Sequence, residues 1–418
     1  MAKDCTLSPE ERFWGSCKCT CPEPDPDIAG IGVISSFMTS SALAIVSTCL
    51  YLLIIRSDLD PKDSFNPIDG WARRTFCDPF VGFITKAQCI KARIDKIEST
   101  IFSFVLSLGD MQLVIGIAML SAAVIKLHDE NDIKLHDEKD KISIYHFSMV
   151  ANLAWFSSTV HLLTLLAIRT KVIGSMKEPN RRGWTKQKTS SRRRRARVAI
   201  ECGGDLIVRI TSMLLLAALL LYCSYVSGAR EWYTYEHCPA RCSLGKEKGG
   251  EPLRWTVVNF VLILLTYPKR CLALSPTLGH WWIKKARHHF LDNKGLGGAS
   301  DKPMPLWRKI FVWLWYIGES ETRGVVLDTC IWFGLGVYWT IDDRKRFHKS
   351  WEGQVDIEKE NNVKGFGQLV PILLLGMPFL QGLQTYCEKS REEEDRRDKH
   401  KDSSNRGLVQ GNHEGTGA

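Results

Sequence analysis

Two neighbouring apolar stretches hold the residues best suited to chemistry. In Ile101–Ile125 one charged residue, Asp110, stands near the middle, with Gln112 beside it. Ile144–Ile168, IYHFSMVANLAWFSSTVHLLTLLAI, has no formal charge but carries Asn152, Trp155 and His161: an amide, an indole donor and an imidazole. A carboxylate inside hydrocarbon costs at least ~2.5–3.5 kcal/mol on insertion scales. It must be protonated, hydrogen-bonded or bound to a cation. Asn152 and Trp155 are candidate donors to Asp110. The pattern predicts that Asp110, Asn152, Trp155 and His161 line a polar ligand or ion site. A structural hydrogen-bond knot that sets helix register is the alternative, and the sequence leaves both open.

Both stretches exceed the ~20 residues that cross ~30 Å of hydrocarbon as a helix. At about 100° per residue, Ser103, Ser107, Asp110 and Ser121 share one face of the first. Gly109, Gly116 and Ala123 form a small-residue stripe suited to close helix contact. On the second, Tyr145, Ser148, Asn152, Trp155 and Thr159 share a face, and His146, Ser157 and His161 form another. A helix polar on two faces cannot turn either to lipid, so this one belongs at the centre of a bundle.

The rest of the chain alternates apolar runs of membrane length with charged loops. Its 418 residues carry a net charge of +10, concentrated beside the apolar runs. That distribution points to anionic lipid next to cytoplasmic loops and excludes nucleic acid as the expected partner. The expected fold is all-α: a seven-span transmembrane bundle over 30–386, with spans near 30–55, 101–125, 144–168, 206–226, 253–267, 325–341 and 366–386. Residues 1–29 read as an extracytoplasmic tail rich in Cys and Pro, with no apolar core of a cleavable signal. Residues 306–317, LWRKIFVWLWYI, read as a helix lying in the interface. Ser57–Glu98 reads as a loop in which Pro67 and Gly70 mark turns. The tail, 387–418, is charged and expected to be disordered. The tandem repeat IKLHDEND IKLHDEKD at 125–140 reads as a solvated loop.

The basic loop after the third span, ending in SSRRRRAR at 190–197, belongs in the cytoplasm. This orients the N-terminus outside and the C-terminus inside. Cys5, Cys17, Cys19, Cys21, Cys238 and Cys242 then all fall outside, an even set in an oxidising space. They are disulfide candidates of open connectivity; zinc at Cys17, Cys19 and Cys21 is the alternative. Cys49, Cys223, Cys271 and Cys330 read as packing residues, and Cys387 as a palmitoylation candidate. Arg209 is expected to pair with Asp205 or to snorkel. Asp328 reads as facing Arg323 or water, and Gln368, Gln381 and Gln384 as interhelical hydrogen-bonders. Phosphorylation at Ser190 or Ser191 is a candidate electrostatic switch.

SLGDMQLVIG at 107–116 and YHFSMVANLAWFSSTVHLLTL at 145–165 resemble the paired signatures of a large family of uncharacterised polytopic membrane proteins of filamentous fungi. DIAGIGV at 27–33 and FNPID at 65–69 resemble it too. The resemblance implies a fold of about seven spans and no particular activity. Polytopic fungal cyclases of secondary metabolism are shorter, and their acidic catalytic residues do not map onto this chain. No catalytic triad, Walker loop, HExxH or haem signature occurs, so neither cofactor nor metal is expected. The outline fits a receptor- or sensor-like protein of the plasma membrane or an endomembrane, with a cytoplasmic protein partner. A membrane-embedded enzyme, cyclase-like, on a lipophilic substrate with Asp110 as general acid is one alternative. A transporter or channel is the other, although no internal repeat of spans is visible.

Overall fold

The computed structural model describes residues 7–8, 11–15, 17–55, 67–85, 93–128, 141–177, 190–274, 306–352, 355, 358–363 and 365–411. Nearly all of them are helical. A two-residue hairpin pairs β1 (Phe13–Trp14) with β2 (Cys17–Lys18), turning at Gly15 with φ 68°. The short α1 (Pro26–Ala29) follows, then α2 (Ile31–Ile55). The predicted loop is in part helical: α3 (Pro67–Ala72), a π turn at Arg73–Cys77 and α4 (Asp78–Thr85). Pro67 therefore starts a helix rather than a turn, a position where its missing N–H is no loss. The long helices are α5 (Ile94–His128), α6 (Ile144–Lys177), α7 (Ser190–Ser227) and α8 (Gly250–Leu274). After α9 (Leu306–Glu319) come α10 (Glu321–Leu327), a π segment at Asp328–Phe333 and α11 (Gly334–Ser350), which run on as one rod. The short α12 (Glu358–Asn361), α13 (Phe366–Leu374) and α14 (Gly376–Gly411) complete the chain.

Six helical stretches are long and apolar enough to cross a membrane: Pro26–Ile54, Lys96–His128, Ile144–Lys171, Ile207–Ser227, Thr322–Ser350 and Gly367–Asp395. This is a multi-pass integral membrane architecture. The fifth expected span, α8, is not among the six; it packs against α6 and α7 all the same. The α6 helix is the axis. Within its span 89% of residues are buried, against 39% or less in the other five, and it touches α2, α5, α7, α8 and α11. Its two polar faces are thus both turned inward.

Small residues set the close approaches. A Cβ on Gly109 would stand 2.3 Å from Thr164 Oγ1, and one on Gly116 would stand 2.8 Å from Ser157 Cβ, so α5 lies backbone-close to α6. Gly336 does the same for α11, where a Cβ would meet Trp155 Cδ1 at 3.0 Å.

At one end of the bundle the hairpin, the 228–249 segment and α12 form a cap. Disulfides Cys17–Cys242 and Cys19–Cys238 join it, and Cys21 is also disulfide-bonded. Cys5 lies outside the described residues. The first amides of α6 are satisfied by this cap: Ile144 N donates to Cys238 O and Tyr145 N to Glu236 O. Helix starts leave such donors orphaned, and here a disulfide-pinned backbone accepts them. Ser143 caps the same helix by accepting from His146 N. Trp14 is buried against Tyr235, with ring centroids 5.4 Å apart, and donates to Glu231 Oε2 at 2.7 Å.

The chain beyond Cys387, expected to be disordered, instead continues α14 as helix to Gly411. Lys96 on α5 binds Glu393 at 2.9 Å and anchors that extension. The seventh expected span is broken at Leu375, between α13 and α14. Gln384 bonds Glu388 within its own helix and Gln381 is exposed, so neither acts as the predicted interhelical link; Thr385 does, donating to Ser103. Gln368 does link elements, accepting from Gly32 N and donating to Glu360 O. Asp69 of the FNPID motif caps α10 by accepting from Thr322 N at 3.0 Å and from Ser320 Oγ at 2.8 Å. Cys49, Cys223 and Cys271 are free and at least partly buried, and Cys387 is exposed. Repeat residues 129–140, and the side chains of Ser190–Asp205, Asp328 and Cys330, lie outside the described residues.

Candidate functional site

Of the four residues singled out from the sequence, Asn152 and Trp155 line one cavity, while Asp110 and His161 lie apart from it. Asp110 turns from α5 to α7, where Arg209 grips it with both guanidinium nitrogens, Nη2 to Oδ2 at 2.8 Å. The pair sits on the outside of the bundle, with Asp110 43% and Arg209 17% exposed. This replaces the expected Asp110 contacts with Asn152 and Trp155, and the expected Arg209–Asp205 pair. The α5 and α7 helices run parallel, and both residues precede their cap-end termini, His128 and Ser227, by the same number of residues. Matched depth brings the charges together, and a bidentate cation outcompetes a neutral amide for a carboxylate.

Trp155 Nε1 donates instead to Trp332 O at 2.8 Å. That carbonyl lies in the π segment, where the i→i−4 ladder is broken and a carbonyl is free to accept. Gln112 bridges α2 and α6: Nε2 donates to Ser40 Oγ at 2.8 Å, and Oε1 accepts from Ser157 Oγ at 3.1 Å. His161 is fully buried, with neither ring nitrogen partnered among the described residues.

Asn152 leads to the densest polar cluster. Its Nδ2 donates to Asp343 Oδ2 at 2.9 Å. Arg346, one turn on in α11, reaches Asp343 Oδ1 at 2.5 Å, Asp342 Oδ2 at 3.1 Å and Glu236 Oε1 in the cap at 2.9 Å. Its guanidinium lies over the Tyr233 ring, 4.1 Å from the centroid. One cation thus serves three carboxylates. Burial pushes Glu236 up to about 8, against the pull of Arg346 and helped by Asp343 and Asp342.

Beside this cluster lies a cavity of about 60 Å³ where α6, α7, α8 and α11 meet the cap. Asn152, Trp155, Asn259, Trp255, Trp339 and Asp343 line it. The indoles are mutually braced: Trp155 stands edge-on to Trp339 at 5.1 Å, and Trp255 edge-on to Trp339 at 5.6 Å.

A second buried cluster closes the cap over α2. Glu360 is fully buried and accepts from Tyr145 OH and His348 Nε2, each at 3.2 Å. His146 Nε2 stands 3.6 Å from its other oxygen. Burial pushes the Glu360 carboxyl up, but His146, His348 and Arg344 outweigh it and hold it below the ordinary carboxylate range. Cys19, His237 and Cys238 cluster within metal-ligand reach. The two sulfurs are bonded to each other, which removes the thiolates a metal needs; the same bonding overturns the zinc alternative at Cys17 and Cys19.

Asp343, Arg346, Glu236 and Glu360 were missed from the sequence. The expected sixth span ends at Ile341, one residue short of Asp342. The signal was periodic: Trp332, Gly336, Trp339, Asp343 and Arg346 recur at helical spacing through that boundary. Compared with protein-family models, curated proteins and solved structures, the chain matches none.

Proposed function

We propose that this protein is a heptahelical membrane sensor, with the disulfide cap outside and the α14 extension in the cytoplasm. In this reading α8 is the seventh span, the basic 178–197 segment meets anionic lipid and a protein partner on the inner side, and the fungal polytopic family is its kin. The observation that carries the reading is the cavity at the capped end. It lies among four helices, is walled by aromatics and carries a few convergent polar groups, features that small-molecule sites share. Its floor is α6, the helix that touches most of the others, so a ligand there has a rigid path to the opposite end.

The test uses the full chain in lipid nanodiscs. A fluorophore is placed on the exposed Cys387 and a small-molecule collection is added to wild type and to a cavity-plugged Ser224→Phe variant. Compounds that raise the melting temperature and change the fluorophore signal in wild type alone support the sensor. If every stabiliser acts equally on both proteins, the pocket reading fails.

A transporter draws separate support from His161, a buried imidazole beside the Gln112–Ser157 bridge with neither nitrogen partnered among the described residues. Proton or cation flux into liposomes, lost in His161→Leu, would favour it over the sensor. No comparable observation favours the enzyme, because Asp110 is held by Arg209 at the bundle surface.

A further inference from the structure

The cavity's walls specify a ligand class. We propose that it binds a compact organic cation, an alkylammonium bearing a small polar group, with Asp343 as counter-ion and the surrounding tryptophans as its box. This deepens the sensor reading and rests on the same pocket.

The charge balance comes first. Asp342 and Asp343 share the single guanidinium of Arg346, whose third neighbour, Glu236, burial keeps largely protonated at neutral pH. Asp343 is the carboxylate that reaches the cavity wall. It accepts from Asn152 and Arg346, two of the roughly four hydrogen bonds a carboxylate takes. That leaves capacity for a further donor on the carboxylate.

The walls come second. Trp155, Trp232, Tyr233, Trp255 and Trp339 surround the space. Aromatic faces attract ammonium groups, most strongly where water is excluded. The site already shows this preference, since Arg346 lies on the Tyr233 ring.

Two orphaned atoms come third. Asn259 Oδ1 and Trp339 Nε1 are buried with no partner among the described residues. Both residues line the cavity, which places an unused acceptor and an unused donor among its wall residues. At ~10–15 Å³ per water-sized position, the volume suits a ligand of about four or five heavy atoms. An anion would meet Asp343, and a neutral ligand would leave Asp342 and Asp343 sharing one guanidinium.

The experiment is titration of the full-length protein in nanodiscs with ethanolamine and ethylammonium, read by tryptophan fluorescence and melting temperature. Propan-1-ol and glycolate are the neutral and anionic counterparts. Saturable binding of both cations, at least about tenfold tighter than propan-1-ol, is expected. Asp343→Asn should weaken the cations at least about tenfold and leave propan-1-ol unchanged. Trp255→Leu, outside the charge cluster, should weaken them about three- to tenfold while the protein stays folded. Propan-1-ol binding as well as ethanolamine overturns the cation assignment but leaves the sensor pocket standing. No cation response up to about 10 mM overturns it as well. If Asp343→Asn does not fold, an unchanged cation affinity in Trp255→Leu overturns the assignment alone.

Discussion

At the scale of single residues, the structure sorts the polar groups by the nearest full charge. Asp110 takes Arg209, and Asn152, left without it, takes Asp343. Arg209 without Asp110 would be an unpaired guanidinium at membrane depth. Asp110→Asn is therefore expected to destabilise by about 2–4 kcal/mol, and the swap Asp110→Arg with Arg209→Asp to recover most of it. Thermal unfolding in micelles measures both; equal stability of single and double variants would mean the pair is idle. Glu360 makes a pH prediction. Its folded carboxyl titrates below its ordinary value of 4.5, so its stabilising share is complete above that pH and is lost as the pH falls through the lower folded value. Melting temperature should drop on acidification below about pH 4.5, and Glu360→Gln should flatten that slope while costing ~1–3 kcal/mol at neutral pH.

At the scale of elements, helix proximity depends on glycine. Gly116 faces Ser157, and Gly336 faces Trp155 and Phe156, with no room for a side chain. Gly116→Val and Gly336→Val are each expected to cost about 1–3 kcal/mol, because the opposing atoms are packed and cannot yield. Gly376→Val, where an added Cβ meets nothing within 4 Å, should cost well under 1 kcal/mol of packing. The small-residue stripe on α5 was legible from spacing alone. The partner of each glycine was not, since several helices offer similar polar-aliphatic faces. The π segment at Asp328–Phe333 was also invisible in sequence. Its Trp332 carbonyl accepts from Trp155 Nε1.

At the scale of the molecule, the cap and the bundle act on one another. The disulfides hold the 228–249 segment where its carbonyls start α6 and its Glu236 reaches Arg346. Reduction is expected to lower stability by about 2–4 kcal/mol, seen as a fall in melting temperature with dithiothreitol that a Cys49→Ser variant shows equally. Tag accessibility in intact cells tests the proposed orientation. An epitope at residue 245, on the cap, should be reachable from outside, and one after residue 411 only after permeabilisation. α9 fits a place along the membrane surface, since Leu306, Ile310, Trp313 and Ile317 are all exposed along its length.

The sequence by itself determined that the chain crosses a membrane repeatedly, that Ile144–Ile168 is central, and that the cysteines at 17–21 and 238–242 suit disulfides. Those properties depend on length, hydropathy and local periodicity, which each segment carries alone. Only the tertiary structure decided that Asp110 belongs to Arg209, that Asn152 belongs to Asp343, and that the aromatic cavity lies at the capped end. Those are choices among partners hundreds of residues apart, and charge pairing at matched depth makes them only after the helices are stacked.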